Sequence, residues 1–134
     1  MIFVDTNVFL DVLEDRDEWY AASSKIVNYV ETKKDKGSIS ALTAPTLWYA
    51  MHERRESIEK IRSIVRHFKI VSLNAYILNL SFKTDMDDFE DAIQLNSALQ
   101  AEAKYLITRN KRDFPADAKV DILTPEEFLE KQAK

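Results

Sequence analysis

Apolar residues in this chain come either as short unbroken runs or as spaced positions on a helical period, and the two alternate. Ile2-Phe3-Val4 is a run closed by the polar Asp5-Thr6-Asn7, after which Val8, Phe9, Val12 and Leu13 recur at helical spacing; a buried strand, a turn and a helix are predicted. From Asp17 to about Lys34, Trp19, Ala22, Ile26, Val27 and Val30 mark an amphipathic helix that the polar run Lys33-Lys34-Asp35-Lys36-Gly37 ends. A short strand, Ser38-Ile39-Ser40, follows. Pro45 suits the first turn of the next helix, whose broad apolar face holds Leu47, Trp48, Tyr49 and Met51. A further helix, about Ser57 to His67, turns Ile58, Ile61, Ile64, Val65 and Phe68 inward. Lys69-Ile70-Val71-Ser72-Leu73 reads as a strand, and Asn74 caps a helix through about Phe82. The next helix begins at Phe89 and buries Phe89, Ala92, Ile93, Asn96, Leu99 and Ala103, running to about Ala103. Lys104-Tyr105-Leu106-Ile107 and Val120-Asp121-Ile122-Leu123 are the last strands. Thr124, Pro125 and Glu127 then write a helix start with Thr at the N-cap, Pro at N1 and Glu at N3.

Strands that alternate with helices build a mainly parallel sheet covered on both faces, so the expected fold is three-layer α/β/α. All 134 residues are expected to form one domain, long enough to bury a core without staples. Right-handed crossovers bring the strand ends to one edge of the sheet. Asp5, the Asn110/Asp113 cluster and the start of the helix at Asp88 would then meet there, where ligands gather in open α/β sheets.

Composition narrows the chemistry. With 46% apolar and 31% charged residues the chain is too apolar for disorder. It has no cysteine, which removes disulfides, thiolate zinc sites and a cysteine nucleophile. A net charge of −4 argues against a generally basic surface that coats nucleic acid, although Arg54, Arg55, Lys60, Arg62 and Arg66 form one local basic patch, read either as a solvated face or as a phosphate contact. The single glycine, Gly37, is fewer than a P-loop or a dinucleotide fingerprint needs. No apolar run is long enough for a membrane span and the N-terminus lacks a basic leader, so a soluble, cytoplasmic protein with no membrane partner is expected.

The candidate chemistry lies in the acids. Asp88 and Asp91 stand three residues apart at a helix start, on one face. They fit a capping box, and they equally fit half of a carboxylate site. Asp5 has the same two readings, as cap of the first helix or as ligand at a strand end. Asp11, deeper in that helix, is read as a solvated residue, and His52 and His67 as surface or cap residues. Carboxylates that converge in a half-buried pocket repel one another, so they take up protons or hold a cation. Oxygen-only ligands favour Mg²⁺ or Mn²⁺ over zinc, and such ions suit phosphodiester hydrolysis, in which charge builds on phosphoryl oxygens.

Three motifs in order, Phe3-Val4-Asp5-Thr6-Asn7-Val8-Phe9-Leu10-Asp11, Asp88-Phe89-Glu90-Asp91-Ala92-Ile93-Gln94 and Leu106-Ile107-Thr108-Arg109-Asn110 with Asp113-Phe114, resemble a PIN domain. The resemblance covers essentially the whole chain. It implies a PIN-like parallel α/β fold and a Mg²⁺- or Mn²⁺-dependent endoribonuclease, with RNA as substrate. Single-domain members are often the toxins of VapBC-type toxin–antitoxin pairs, so an antitoxin protein and a homodimer are implied partners. By position, Asp5 and Asp91 would be metal ligands, and Asp88 and Asp113 supporting ligands or orienters of water. Thr6, Asn7, Thr108, Arg109 and Asn110 would hold them or contact phosphate.

Two positions depart from the family pattern. The helix after the second strand usually carries a glutamate, and here Thr46 stands in its place; Glu53 is about two turns further on. Asn110 stands where an aspartate is common. Both changes remove negative charge, which weakens metal affinity and leaves a second reading, a PIN-like module that binds RNA or protein without turnover; a third is a Mg²⁺-dependent phosphatase of the haloacid-dehalogenase kind, which also begins with a strand ending in aspartate. The latter expects a second aspartate two residues after the first, where this chain has Asn7.

Overall fold

The computed structural model describes residues 1–51 and 54–134. The expectations for His52 and Glu53, and for the side chains of Arg54 and Arg55, lie outside the described residues. In chain order the elements are β1 (Ile2–Val4), α1 (Thr6–Leu13), α2 (Tyr20–Glu31), β2 (Gly37–Ser40), α3 (Thr43–Ala50), α4 (Arg54–Val65), β3 (Lys69–Val71), α5 (Ala75–Lys83), α6 (Phe89–Gln100), β4 (Tyr105–Ile107), a 3₁₀ turn (Lys111–Asp113), β5 (Asp121–Leu123) and α7 (Pro125–Gln132).

The five strands form one parallel sheet in the order β3-β2-β1-β4-β5. Strand side chains alternate between its faces, as the two-residue period demands. Ile2, Val4, Tyr105 and Ile107 enter one core with Val8 and Phe9 of α1, Ile26 of α2, Leu47 of α3, Ile61 of α4 and Phe128 of α7. Phe3 and Leu106 enter the other, against Leu95 and Ala98 of α6 and the loop residues Phe114 and Val120. The sheet is thus the middle of three layers. Phe3, Phe9, Phe128 and Leu106 are fully buried, each stabilising by about 1.5–3 kcal/mol. Gly37 opens β2 where a Cβ would lie 2.7 Å from Val30 Cγ2 and 2.8 Å from the Phe68 ring. The close approach of strand and helix, rather than an unusual backbone angle, requires glycine there.

The chain moves outward from β1 to β2 and β3 through helices on one face, then returns through α5 and α6 on the other face to place β4 on β1's opposite flank. The order reverses between β1 and β4. Beyond the carboxyl ends of two strands that diverge this way lies the usual crevice of open α/β sheets.

Several helix faces differ from expectation. α6 stops at Gln100 and is buried all round from Ala92 to Ala98, because it lies between the sheet and α5. Phe89 and Leu99, expected inward, are exposed, and Phe89 stacks on the exposed Phe82 with ring centroids 4.9 Å apart. Ile58 of α4 is also exposed. The capping box at Thr124 and Glu127 is complete, with Glu127 N donating to Thr124 Oγ1 at 3.1 Å and Thr124 N to Glu127 Oε1 at 2.9 Å.

Candidate functional site

Asp5 ends β1 and caps α1, so it sits at the switch point with only 5% of its surface exposed. Thr6 N and Gln94 Nε2 each donate to its Oδ1 at 2.8 Å. Thr108 Oγ1 donates to Oδ2 at 2.8 Å, and Asn7 Nδ2 approaches the same oxygen at 3.4 Å. Burial pushes the Asp5 carboxyl up, while the bonds from Gln94, Thr108 and Thr6 pull it down and the charge on Asp113 adds a smaller upward push. Asp5 is thus the cap of α1, one of its two expected roles, and the same carboxylate gathers side chains from α1, α6 and the end of β4.

β4 supplies the second wall. Thr108 is buried just past its end, and its Oγ1 accepts from Asn110 N at 3.1 Å and Asn7 Nδ2 at 3.4 Å while donating to Asp5. Asn7 Oδ1 accepts from Arg109 N at 3.3 Å, which fastens the two strand ends together. Thr6 Oγ1 lies 3.3 Å from Thr43 Oγ1 and accepts from Gln94 Nε2 at 3.3 Å. Thr43 is fully buried at the start of α3, one turn before Thr46.

Asp88 is the N-cap of α6 and accepts from Asp91 N at 3.1 Å. Asp91 is half-buried, and its carboxyl is pushed up to about 7, first by burial and then by the charges of Asp5, Asp88, Asp113 and Glu90. The acids of β1, α6 and the 3₁₀ turn thus lie close enough to feel one another. Asp88 and Asp113 themselves are exposed. Among the described residues no group of three or more His, Asp or Glu side chains forms a ready cage for an ion.

The residues nonetheless fit a hard cation that keeps several waters, which needs one or two protein carboxylates. Their donors are all oxygen, and Gln94 Oε1 is buried with no hydrogen-bond partner among the described residues. Such an orphaned carbonyl costs about 1–3 kcal/mol unless something meets it.

Two residues stand differently from their sequence reading. Asp11 is fully buried rather than solvated: its Oδ2 accepts from Arg109 Nε at 3.0 Å and from Ser23 Oγ at 3.1 Å, and Arg16 Nη1 lies 3.7 Å from Oδ1. Arg109, expected at substrate, directs Nε to Asp11 and lies over the Trp19 ring, 4.2 Å from its centroid. Gln94 was quoted in the acidic motif without a role. Its signal was a polar residue on the buried side of α6, at i+3 from Asp91 and so on the same face.

A parallel sheet with this reversal, an aspartate at the end of β1 and an acidic helix start beside the end of β4 define the class. Residues 1–112 match the family described as a PIN domain, and the chain belongs to that family. It is similar to the Ribonuclease VapC1 of Aquifex aeolicus (strain VF5), 21% identical over 137 residues that take in 97% of this chain and 94% of that protein. Among solved structures, a toxin–antitoxin complex from Klebsiella pneumoniae superposes with a TM-score of 0.70 at 22% identity, covering 93% of this chain and 98% of that one. The VapC20 toxin of Mycobacterium tuberculosis, described as cleaving the sarcin–ricin loop, gives 0.61 at 14% identity, covering 87% and 92%. At these identities the structural likeness speaks for the fold. No helix among the described residues is long and apolar enough to cross a membrane.

Proposed function

We propose that this chain is a Mg²⁺- or Mn²⁺-dependent endoribonuclease and the toxin of a toxin–antitoxin pair. The observation that carries the reading is Asp5, buried at the switch point and held by Thr6, Gln94 and Thr108, with the half-buried Asp91 at the start of α6 pushed up to about 7 first by burial and then by the charge on Asp5. Such an arrangement is unfavourable by itself and becomes favourable around a cation. The similar Ribonuclease VapC1 and the toxin complexes point the same way.

Asp5 and Asp91 would hold the ion, with Asp88 and Asp113 orienting its waters. A bound Mg²⁺ lowers the pKa of water and offsets charge on phosphoryl oxygens. The chain's own residues supply position: Thr108 and Asn7 fix the Asp5 carboxylate, and the exposed side chain of Asn110 stands where a phosphate oxygen could accept from it. An antitoxin and a second copy of the chain are proposed partners. The exposed Trp48 and Tyr49 of α3 are a candidate face for the homodimer.

Thr46, standing where the family pattern has a glutamate, favours a second reading, a PIN fold that binds RNA or protein without turnover. One experiment separates them. Purified protein is incubated with a mixed single-stranded RNA pool, with and without Mg²⁺ or Mn²⁺, beside Asp91→Asn. Metal-dependent fragments from wild type alone support the nuclease. RNA retention without fragments supports the binding module, and release of phosphate from small esters without RNA cleavage returns the phosphatase.

A further inference from the structure

We propose that Gln94 is a metal-responsive amide switch: its Nε2 holds Asp5 when no cation is bound, and its Oε1 turns to the cation when one is. The proposal rests on the metal-centre reading above and adds a residue to it. A carboxylate offers about four acceptor sites. In Asp5 they meet Thr6 N, Gln94 Nε2, Thr108 Oγ1 and Asn7 Nδ2, so a cation reaches this carboxylate only by displacing a donor.

The four donors are unequal. Thr6 N is main chain at a helix start and stays in place. Thr108 Oγ1 is held, besides its bond to Asp5, by two other groups, Asn7 Nδ2 and Asn110 N, and Asn7 is tied through Oδ1 to Arg109 N. Gln94 differs from these three, because its amide carries a second atom, Oε1, that is buried and without a hydrogen-bond partner among the described residues. Only 3% of Gln94 is exposed, so bulk water does not meet that atom.

The terminal torsion of glutamine is broad and nearly two-fold, so exchanging nitrogen and oxygen costs little in strain. Without a cation the exchange would set two oxygens against each other. With a cation between them the same exchange satisfies both, and it brings Oε1 into use. Carbonyl oxygen is a proper ligand for hard divalent ions. The switch would also return to the site an oxygen ligand that Thr46 does not provide.

Two measurements test this on the intact chain. Mn²⁺ affinity is measured by electron paramagnetic resonance for wild type, Gln94→Met, Gln94→Glu and Asp5→Asn. Gln94→Met should weaken binding by about ten- to hundredfold, the usual effect of losing a group that tunes a metal ligand, and Gln94→Glu should tighten it. The Gln94 side-chain amide resonances are then followed in wild type during Mg²⁺ titration, where they should shift in step with binding and stay still in Asp5→Asn. Unchanged Mn²⁺ affinity in Gln94→Met, with Asp5→Asn weakened, would make Gln94 a mere prop and overturn the switch while keeping the metal centre. Unchanged affinity in Asp5→Asn as well, or no binding by wild type, removes both. Should the variants fail to fold, amide resonances that ignore saturating Mg²⁺ in wild type overturn the switch.

Discussion

Arg109 Nε donates to Asp11 Oδ2 at 3.0 Å, joining the second residue past β4 to a fully buried acid in α1. The Trp19 ring also covers the guanidinium, its centroid 4.2 Å from Arg109 Cζ. Cation, carboxylate and ring together pin the end of β4 to the helix that follows β1, and the cradle around Asp5 is built across that joint. Asp11→Asn should destabilise the fold by about 3 kcal/mol, because removing one partner of a buried pair leaves the other charge uncompensated. Urea denaturation at neutral pH measures it, and a loss within about 0.5 kcal/mol would show that the pair contributes no more than an ordinary surface contact.

Asp91 makes stability depend on pH. Its carboxyl has an ordinary value of 3.8 and stands at about 7 in the fold, so between those values the folded chain binds more protons than the unfolded chain. The contribution is therefore fully present below about pH 4, falls as pH rises through 7, and is gone above it. Melting temperature in chelator should drop from pH 5 to pH 8, and Asp91→Asn should flatten the drop. An equally steep drop in that variant would assign it to other groups.

A cation should reverse that loss. Mn²⁺ binds the deprotonated site, so it should raise the melting temperature of wild type more at pH 8 than at pH 5.5, by mass action on the folded state. An equal rise at both values would mean that Mn²⁺ acts elsewhere.

Asp5→Asn separates fold from chemistry. The variant keeps an acceptor for Thr6 N and Gln94 Nε2 and removes a buried charge that sits near Asp113. Its melting temperature in chelator at pH 8 should equal or exceed that of wild type, while metal-dependent RNA cleavage is lost. A fall of many degrees would mean that the charge itself holds the strand end in place.

Gly37→Ala tests the close approach of β2 to Val30 of α2 and to Phe68, which precedes β3. The new methyl would lie 2.7 Å from Val30 Cγ2 and 2.8 Å from the Phe68 ring. Overpacking of this kind costs about 1–3 kcal/mol, read from the denaturation midpoint. An unchanged midpoint would mean that the Phe68 ring moves aside freely.

The frame was readable from the chain because its signals are local. Ile2-Phe3-Val4 before Asp5-Thr6-Asn7 marks a strand and its exit, and Thr124 with Pro125 and Glu127 marks a helix start, using neighbours within four residues. The right-handed crossover rule brought Asp5 and the start of the acidic helix to one edge of the sheet, and the family resemblance gave Asp5 and Asp91 their expected roles there. Asp11 escaped the reading because its partner, Arg109, is 98 residues away, and an acid in a helix looks solvated until its counter-charge is found. The inward face of α6 escaped for a related reason. Periodicity assigns a helix one buried side, whereas α6 meets the sheet on one side and α5 on the other. Gln94 lay inside the quoted motif, yet its bond to Asp5 spans 89 residues and leaves no local trace.

The reversal between β1 and β4 also governs when the molecule becomes competent. β1 leaves the ribosome before its second neighbour, β4, and before the threonine that grips Asp5, which follow only after position 100. Until then the opening strand presents a bare flank, a template for wrong pairing in any truncated product. A chain halted short of β4 therefore cannot assemble the cradle around Asp5, whatever the rest of its fold has achieved.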